Sequence, residues 1–362
     1  MEDTLILTWQ EKVAEYAALS EEMGQLHPEI LELAYQENWF KLFVPEVYGG
    51  ASKKLPEILR LEEQLAEVDG SLAWTVTLCA GAGWFAGFLN PELAADIFAN
   101  REVCFAGSGA VGGEAIQTEK GYRINGQWNY ASGALHATIF TANCTLKNEN
   151  GEDILDENSE PVIKSFILKK AEVNILPGWS YFGLMATGSH AFEVKDLEVP
   201  ENRTFTINED ILVADSGFDY PFLQLAETTL AVNSLGMTNH FIQLAEQSFH
   251  SRSSMRRFSE AQMQFFTSEL NRCKNEVQML REQFYTVFDE SWTELMNNGQ
   301  ITNAKLSEVS SISRKLAHAC WRAAGTLFPY CGLEAAKKGS EINRVWRDIH
   351  TASQHGLLTF EV

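Results

Sequence analysis

The run GYRINGQWNYASGALHA, from Gly121 to Ala137, decides the fold of this chain. Asn125-Gly126 is a turn signal between strands, and Gln127 to Ser132 alternates large and small side chains as a strand does. The same texture extends outward on both sides. Tyr122, Ile124 and Trp128, then Ile139, Ala142 and Cys144, then Phe166, Ile167 and Leu168, then Phe192, Val194 and Leu197 form short apolar runs between Glu102 and about Ile211. Before this β region the apolar spacing is helical from Leu5 to about Asn100, as in Ile58, Leu61, Leu65 and Val68 with Glu62 and Glu63 directed outward. Val44 to Gly50, reading VPEVYGG, is a turn that interrupts those helices. From Pro221 onward long amphipathic helices return, with one stripe at Cys273, Val277, Leu280, Phe284, Phe288 and Leu295 and another at Val309, Ile312, Leu316, Ala319, Ala323 and Leu327. Short connections between them argue an antiparallel bundle. The expected class is therefore α+β, mostly α: an N-terminal helical domain over 1–100, a β-barrel or sandwich over 101–213 and a C-terminal antiparallel four-helix bundle over 214–362.

Composition narrows what such a chain does. Of 362 residues, 45% are apolar and 21% charged, as in a folded globular protein. Lys and Arg number 28 against 49 Asp and Glu, a net charge of −21 that repels nucleic acid and anionic membrane. The six cysteines, Cys79, Cys104, Cys144, Cys273, Cys320 and Cys331, show no C-x-x-C pair and no zinc-type spacing with histidine. They read as reduced intracellular thiols without a metal. Met-Glu-Asp opens the chain without a basic segment and apolar core, so a cytoplasmic location is expected. Gly70 to Pro91 carries no charge and has the length of a membrane span, yet its flanks are Asp69 and Glu92 and it holds four glycines. It reads as a buried helix with a break near Gly81 to Gly83. Asn148 to Glu160 contains six carboxylates but lacks the spacing of an EF-hand, and is a solvated loop between strands. The chain has no G-x-G-x-x-G strand–helix unit, so a nicotinamide site of Rossmann type is not expected.

Four segments in order, VPEVYGG (Val44 to Gly50), LEEQLAEVDGSLAW (Leu61 to Trp74), GYRINGQWNYASGALHA and ATGSHAFEVKDLEVPENR (Ala186 to Arg203), resemble the acyl-CoA dehydrogenase superfamily of flavoproteins. Within it, the SG-x-x-HA sequence at Ser132 to Ala137 and the R-x-W-R-D-x-H-x-x-x-x-H sequence at Arg344 to His355 are most similar to the two-component flavin monooxygenases, such as 4-hydroxyphenylacetate hydroxylase and dibenzothiophene monooxygenase. The resemblance implies FMN or FAD as cofactor, a separate flavin reductase that supplies it reduced, a C4a-hydroperoxide as the oxygen donor, a small-molecule substrate and a homotetramer or homodimer. It also assigns residues. Tyr130, or its neighbour Trp128, would pack the flavin ring, Ser132 would supply a donor near N5, and Thr187, Gly188 and Ser189 would complete the cradle. His355 would handle the substrate proton or the peroxide, with His136 and His350 as alternatives. Arg252, with Arg256 and Arg257, would hold a flavin phosphate, and Trp84, Phe85 and His136 would wall the substrate pocket.

A dehydrogenase of this superfamily needs a general base, normally a carboxylate. The stretch IHTASQHGLLTFEV, Ile349 to Val362, offers none before Glu361. Glu227, near the start of the first C-terminal helix, is the remaining candidate for an acyl-CoA dehydrogenase with FAD, and its bland alternative is a solvent-facing carboxylate favoured by the helix dipole. A non-catalytic flavin-binding protein is the third reading.

Overall fold

A computed structural model describes residues 8–209, 211–213, 216–255 and 258–360. Helix α1 (Trp9–Met23) opens with a capping box between Thr8 and Glu11, followed by α2 (Pro28–Gln36), α3 (Leu55–Val68), α4 (Gly70–Gly83) and α5 (Pro91–Phe98). The VPEVYGG turn is a single 3-10 turn at Glu46–Tyr48, closed by Gly49 at φ 72°. Asp69 caps α4 by accepting a hydrogen bond from the Leu72 N–H at 2.8 Å. The expected break falls at Gly83, where α4 passes into a 3-10 segment over Trp84–Phe88. This apolar stretch, Gly70–Phe88, is long enough to cross a membrane, but 89% of its most apolar window is inside the protein. It is a core helix, and α6 approaches it so closely that a Cβ on Gly70 would meet the Met237 sulfur at 2.6 Å.

Glu62 and Glu63 do not point outward. Helix α3 is covered on that side by the C-terminal helices, so both carboxylates are buried. Glu63 accepts from Arg281 Nε at 2.7 Å and from the Tyr285 hydroxyl. Glu62 is fully buried, neither of its oxygens has a hydrogen-bond partner among the described residues, and burial raises its pKa well above the carboxylate range. Hydrophobic periodicity treats both residues as the polar back of the helix. Only the packing of a second layer of helices reverses that assignment.

The middle region is one seven-stranded sheet in the order β5-β6-β2-β1-β3-β4-β7. Its strands are β1 (Phe105–Thr118), β2 (Gly121–Ala131), β3 (Ile139–Lys147), β4 (Ile163–Lys169), β5 (Asn174–Leu176), β6 (His190–Pro200) and β7 (Thr204–Phe205). All pairs are antiparallel except β1 with β3. Asn125-Gly126 is not a turn: β2 runs through it, and its register against β6 slips between Ile124 and Gly126. The reversal lies between Thr118 and Gly121. Glycine is needed at 126 because a Cβ there would stand 2.6 Å from both Gly113 Cα and the Trp128 ring. That ring is 1% exposed, stacks on Phe192 with centroids 5.1 Å apart and donates from Nε1 to the Asn143 carbonyl at 3.0 Å. The acidic loop between β3 and β4 folds on its own side chains. Asn148 Oδ1 accepts from the Asn150 and Glu152 N–H groups, and Asp156 Oδ1 from those of Asn158 and Glu160.

Four helices follow: α6 (Phe222–Met255), α7 (Glu260–Asn298), α8 (Asn303–Leu327) and α9 (Glu341–Ala352). Gly299, at φ 69°, ends α7. Both apolar stripes face inward, Leu280 being only partly buried. Helix α6 reaches α3, α4, α8 and α9, so it joins the two helical regions around one core.

Candidate functional site

Where α4, the sheet and α6 meet, they leave a cavity of about 170 Å³, part of it open to solvent. Thr77, Leu78, Gly81 and Ala82 of α4 form one wall, continued by Phe85. Gly107 to Gly109 of β1, Thr141 of β3 and Ser132 at the end of β2 form the sheet side. The first turns of α6 close it with Phe222, Leu225, Ala226, Thr229 and Leu230, and the tail after α9 adds His355 and Leu357. Glycine is required at 107, where a Cβ would lie 1.9 Å from Thr141 Oγ1. Bare backbone at a cavity wall admits a ligand closely.

Ser132 ends a chain of buried hydroxyls. Thr187 Oγ1 donates to the Leu184 carbonyl at 2.7 Å, Thr187 and Ser189 share a hydrogen bond of 2.7 Å, and Ser189 and Ser132 share one of 2.8 Å. Each hydroxyl has one proton. With the Thr187 proton spent on a carbonyl, Ser189 must donate to Thr187 and Ser132 must donate to Ser189. Toward the cavity Ser132 therefore presents lone pairs. The expectation of a donor at this position is corrected: Ser132 is an acceptor.

The motif Arg344 to Asp348 holds this chain of hydroxyls in place from α9. Asp348 Oδ1 accepts from the Leu184 N–H, and Arg347 donates to the Phe182 carbonyl and pairs with Glu21. Asp348 is buried beside Asp69 and Arg344. Desolvation first, then repulsion from Asp69, raises its pKa to about 8. Seven residues on, His355 lines the cavity, its ring 5.8 Å from that of Trp74. Its Nδ1 accepts from the Leu357 N–H at 3.4 Å, so the neutral ring carries its proton on Nε2. Burial lowers its pKa below the ordinary histidine value, which keeps the ring neutral.

Of the residues singled out in the sequence, Ser132, Phe85 and His355 meet at this cavity. Thr187 and Ser189 stand directly behind Ser132, and Gly188 turns the chain between them at φ 51°. Tyr130 lies two residues away but outside the cavity, 62% exposed at φ 63°. Its ring meets Trp179 and Tyr181 edge-on, and the Tyr181 hydroxyl donates to its own at 3.3 Å. Trp128 belongs to the core of the sheet, since an inward position on β2 is covered by β6 and β3. Trp84 is also fully buried. It backs the cavity indirectly, stacking on Phe222 with centroids 5.7 Å apart and donating to the Gly217 carbonyl.

His136 and His350 are not cavity residues. The turn after β2 carries His136 away from Ser132 onto Phe40, at a centroid distance of 5.3 Å, and beside Cys79 and Cys104. His350 packs on Trp346. Arg252, at the end of α6, donates to the Tyr330 and Ser248 carbonyls and borders a separate groove with Phe249, Phe258 and Phe265. Arg256, Arg257 and Glu361 lie outside the described residues. Glu227 is neither solvent-facing nor at the cavity: it is fully buried and paired with Arg314, while its neighbour Ala226 lines the wall. One residue is about 100° of helix, enough to turn the carboxylate into the bundle.

Sequence reasoning missed Gly107 to Gly109, Thr141 and the α6 wall. Glycines inside a strand were the available signal for the first. The others are ordinary helix and strand residues until the fold joins them.

Residues 228–360, within the C-terminal helices behind the cavity, match the family description "Acyl-CoA dehydrogenase, C-terminal domain". Over nearly its whole length the chain is similar to proteins described as monooxygenases. Indole-3-acetate monooxygenase of Acinetobacter baumannii is 24% identical over 333 residues, covering 91% of this chain and 83% of the relative. The oxygenase subunit HsaA of a flavin-dependent monooxygenase from Mycobacterium tuberculosis is 22% identical over 365 residues, covering 95% and 88%. Among solved structures, XiaF from Streptomyces sp., in complex with FADH2 and glycerol, superposes with a TM-score of 0.84 at 20% identity, over 97% of this chain and 89% of that one.

Proposed function

We propose that this chain is the oxygenase component of a two-component flavin-dependent monooxygenase, receiving reduced FMN or FAD from a separate reductase and oxygenating a small apolar or aromatic molecule. One observation carries the reading: among the described residues lining the cavity, His355 is the sole titratable side chain. An acyl-CoA dehydrogenase needs a carboxylate-like base at this place, and the Glu227 carboxylate is committed to Arg314. The fit to a flavin rests on three features. Ser132 offers an acceptor toward the cavity, Gly107 and Gly109 offer bare backbone, and Tyr130, Trp179 and Tyr181 offer an aromatic face.

When bound, reduced flavin with dioxygen supplies one oxygen atom for transfer. The chain's own part is to bind, orient and keep the site dry. Ser132 accepts from the ring, with Thr187 and Ser189 fixing its direction. Tyr130, outside the cavity, would cover only the part of the ring that projects beyond it, while Trp128 supports the strand that carries Tyr130. His355, neutral, donates from Nε2 to the oxygen of substrate or oxidant. Phe85, Phe222 and Leu225 exclude water, which would otherwise divert the reaction to hydrogen peroxide. Arg252 and its groove receive a flavin phosphate from a neighbouring subunit of a homotetramer or homodimer, assembled through 214–362 as a four-helix bundle, with 1–100 and 101–213 as the other two domains. The expected location is the cytoplasm.

The test is rapid mixing of the protein, loaded anaerobically with reduced FMN or FAD, with oxygenated buffer while the flavin spectrum is followed. A long-lived oxygenated flavin, shortened by His355→Ala without loss of flavin binding, is expected. Immediate return to oxidised flavin, with either cofactor, would overturn the reading, and bleaching of bound FAD by an acyl-CoA would replace it with the dehydrogenase. Tight flavin binding with neither reaction would leave a non-catalytic binder.

A further inference from the structure

All six cysteines are buried. Two of them, far apart in sequence, meet with a histidine that the cavity does not use. Cys79 sits on a part of α4 that does not line the cavity, Cys104 immediately precedes β1, and His136 lies in the turn after β2. Their ligand atoms all fall within 4.8 Å of one another. The Cys79 thiol is directed at the Ser132 carbonyl, 3.6 Å away, and the Cys104 thiol at the Phe105 carbonyl, 3.8 Å away. The two sulfurs also face each other, and that of Cys79 faces the imidazole. His136 Nε2 is sealed from solvent and has no hydrogen-bond partner. Burial without a partner makes such a nitrogen costly to leave as it is.

Two thiols and an imidazole nitrogen converging this closely are the donor set of a soft d10 cation. We propose that Cys79, Cys104 and His136 bind one thiophilic d10 metal ion, of which Zn2+ is the ordinary cellular example. Around a tetrahedral ion with bonds of about 2.3 Å the sulfurs stand about 3.8 Å apart, a contraction that side-chain rotation supplies. The charges balance as well: the divalent ion displaces two thiol protons to solvent, His136 adds a neutral lone pair, and the closed site is neutral. A neutral site suits these surroundings, where Phe40 covers the imidazole. Gly133, at φ 77°, leaves the space, since a Cβ there would stand 2.8 Å from Cys79 Sγ and 3.0 Å from His136 Nε2. The ion would join α4, the start of β1 and the turn that begins at Ser132. The proposal is independent of the flavin reading.

The test uses the full chain, stripped with chelator and titrated with Cd2+ as probe. Ultraviolet thiolate-to-metal charge transfer is followed, and native mass spectrometry records the adduct. Expected are one Cd2+ per chain with loss of two protons, competition by Zn2+, and at least tenfold weaker binding in Cys79→Ala and in Cys104→Ala but not in Cys144→Ala. No stoichiometric uptake by the wild-type chain would overturn the proposal, as would an adduct that keeps both protons or binding that survives both cysteine variants. If a cysteine variant fails to fold, the wild-type mass balance decides alone.

Discussion

Ser189→Ala tests the direction of the hydroxyl chain. In the wild-type protein Ser189 accepts from Ser132 and donates to Thr187, at 2.8 and 2.7 Å. Removing its oxygen deletes both bonds, and at about 1 kcal/mol each the fold loses about 2 kcal/mol. The larger effect is on selectivity. Reduced flavin carries a proton on N5 and oxidised flavin a lone pair, so an acceptor at Ser132 favours the reduced ring. One matched hydrogen bond against one lone-pair clash is worth about 1.5–3 kcal/mol, or about 10- to 100-fold in the ratio of affinities. Without Ser189 the Ser132 proton is free to turn to the cavity, and that ratio should fall by about tenfold, chiefly through tighter binding of oxidised flavin. Equilibrium dialysis of oxidised and, anaerobically, reduced FMN and FAD against both proteins measures it. An unchanged ratio in a variant destabilised as expected would refute the proton accounting. Failure of the wild type to bind flavin in either state would instead refute the functional reading.

Three further outcomes follow from the same structure. Burial lowers the pKa of His355, and of His350 and His190, below the ordinary value. A depressed folded value means that stability is complete above the unfolded pKa of about 6.5 and is lost as pH falls through the folded one. NMR titration should place the His355 midpoint below 6.5, with the neutral tautomer protonated on Nε2; a midpoint at or above 6.5, or an Nδ1-protonated ring, would contradict the site geometry. Arg314→Ala leaves the fully buried Glu227 carboxylate unpaired and should cost about 3–5 kcal/mol, read by denaturant unfolding. Glu227→Gln should leave oxygenation intact, and its abolition would return Glu227 to the site.

What the sequence determined by itself was whatever depends on neighbours along the chain. Helix stripes such as Val309 to Leu327, the strand texture after Glu102 and the glycine-marked ends arise from local periodicity and backbone freedom. The order of motifs carried the resemblance, and with it Ser132 and His355, which the fold brings to one cavity. Where two layers meet, local pattern was silent or misleading. Glu62 and Glu63 occupy the polar back of α3 until the C-terminal helices cover it, and Asn125-Gly126 reads as a turn until Trp128 requires the space a side chain would fill. One residue of helical rotation put Ala226 at the cavity and Glu227 against Arg314. The direction of the Ser132 proton was set by a carbonyl at Leu184, more than fifty residues away. Cys79, Cys104 and His136 show no ligand spacing in the chain and converge only because α4 packs against the first strand and the turn that follows the second. Such contacts are settled by the closest packing of distant segments, which no local pattern encodes.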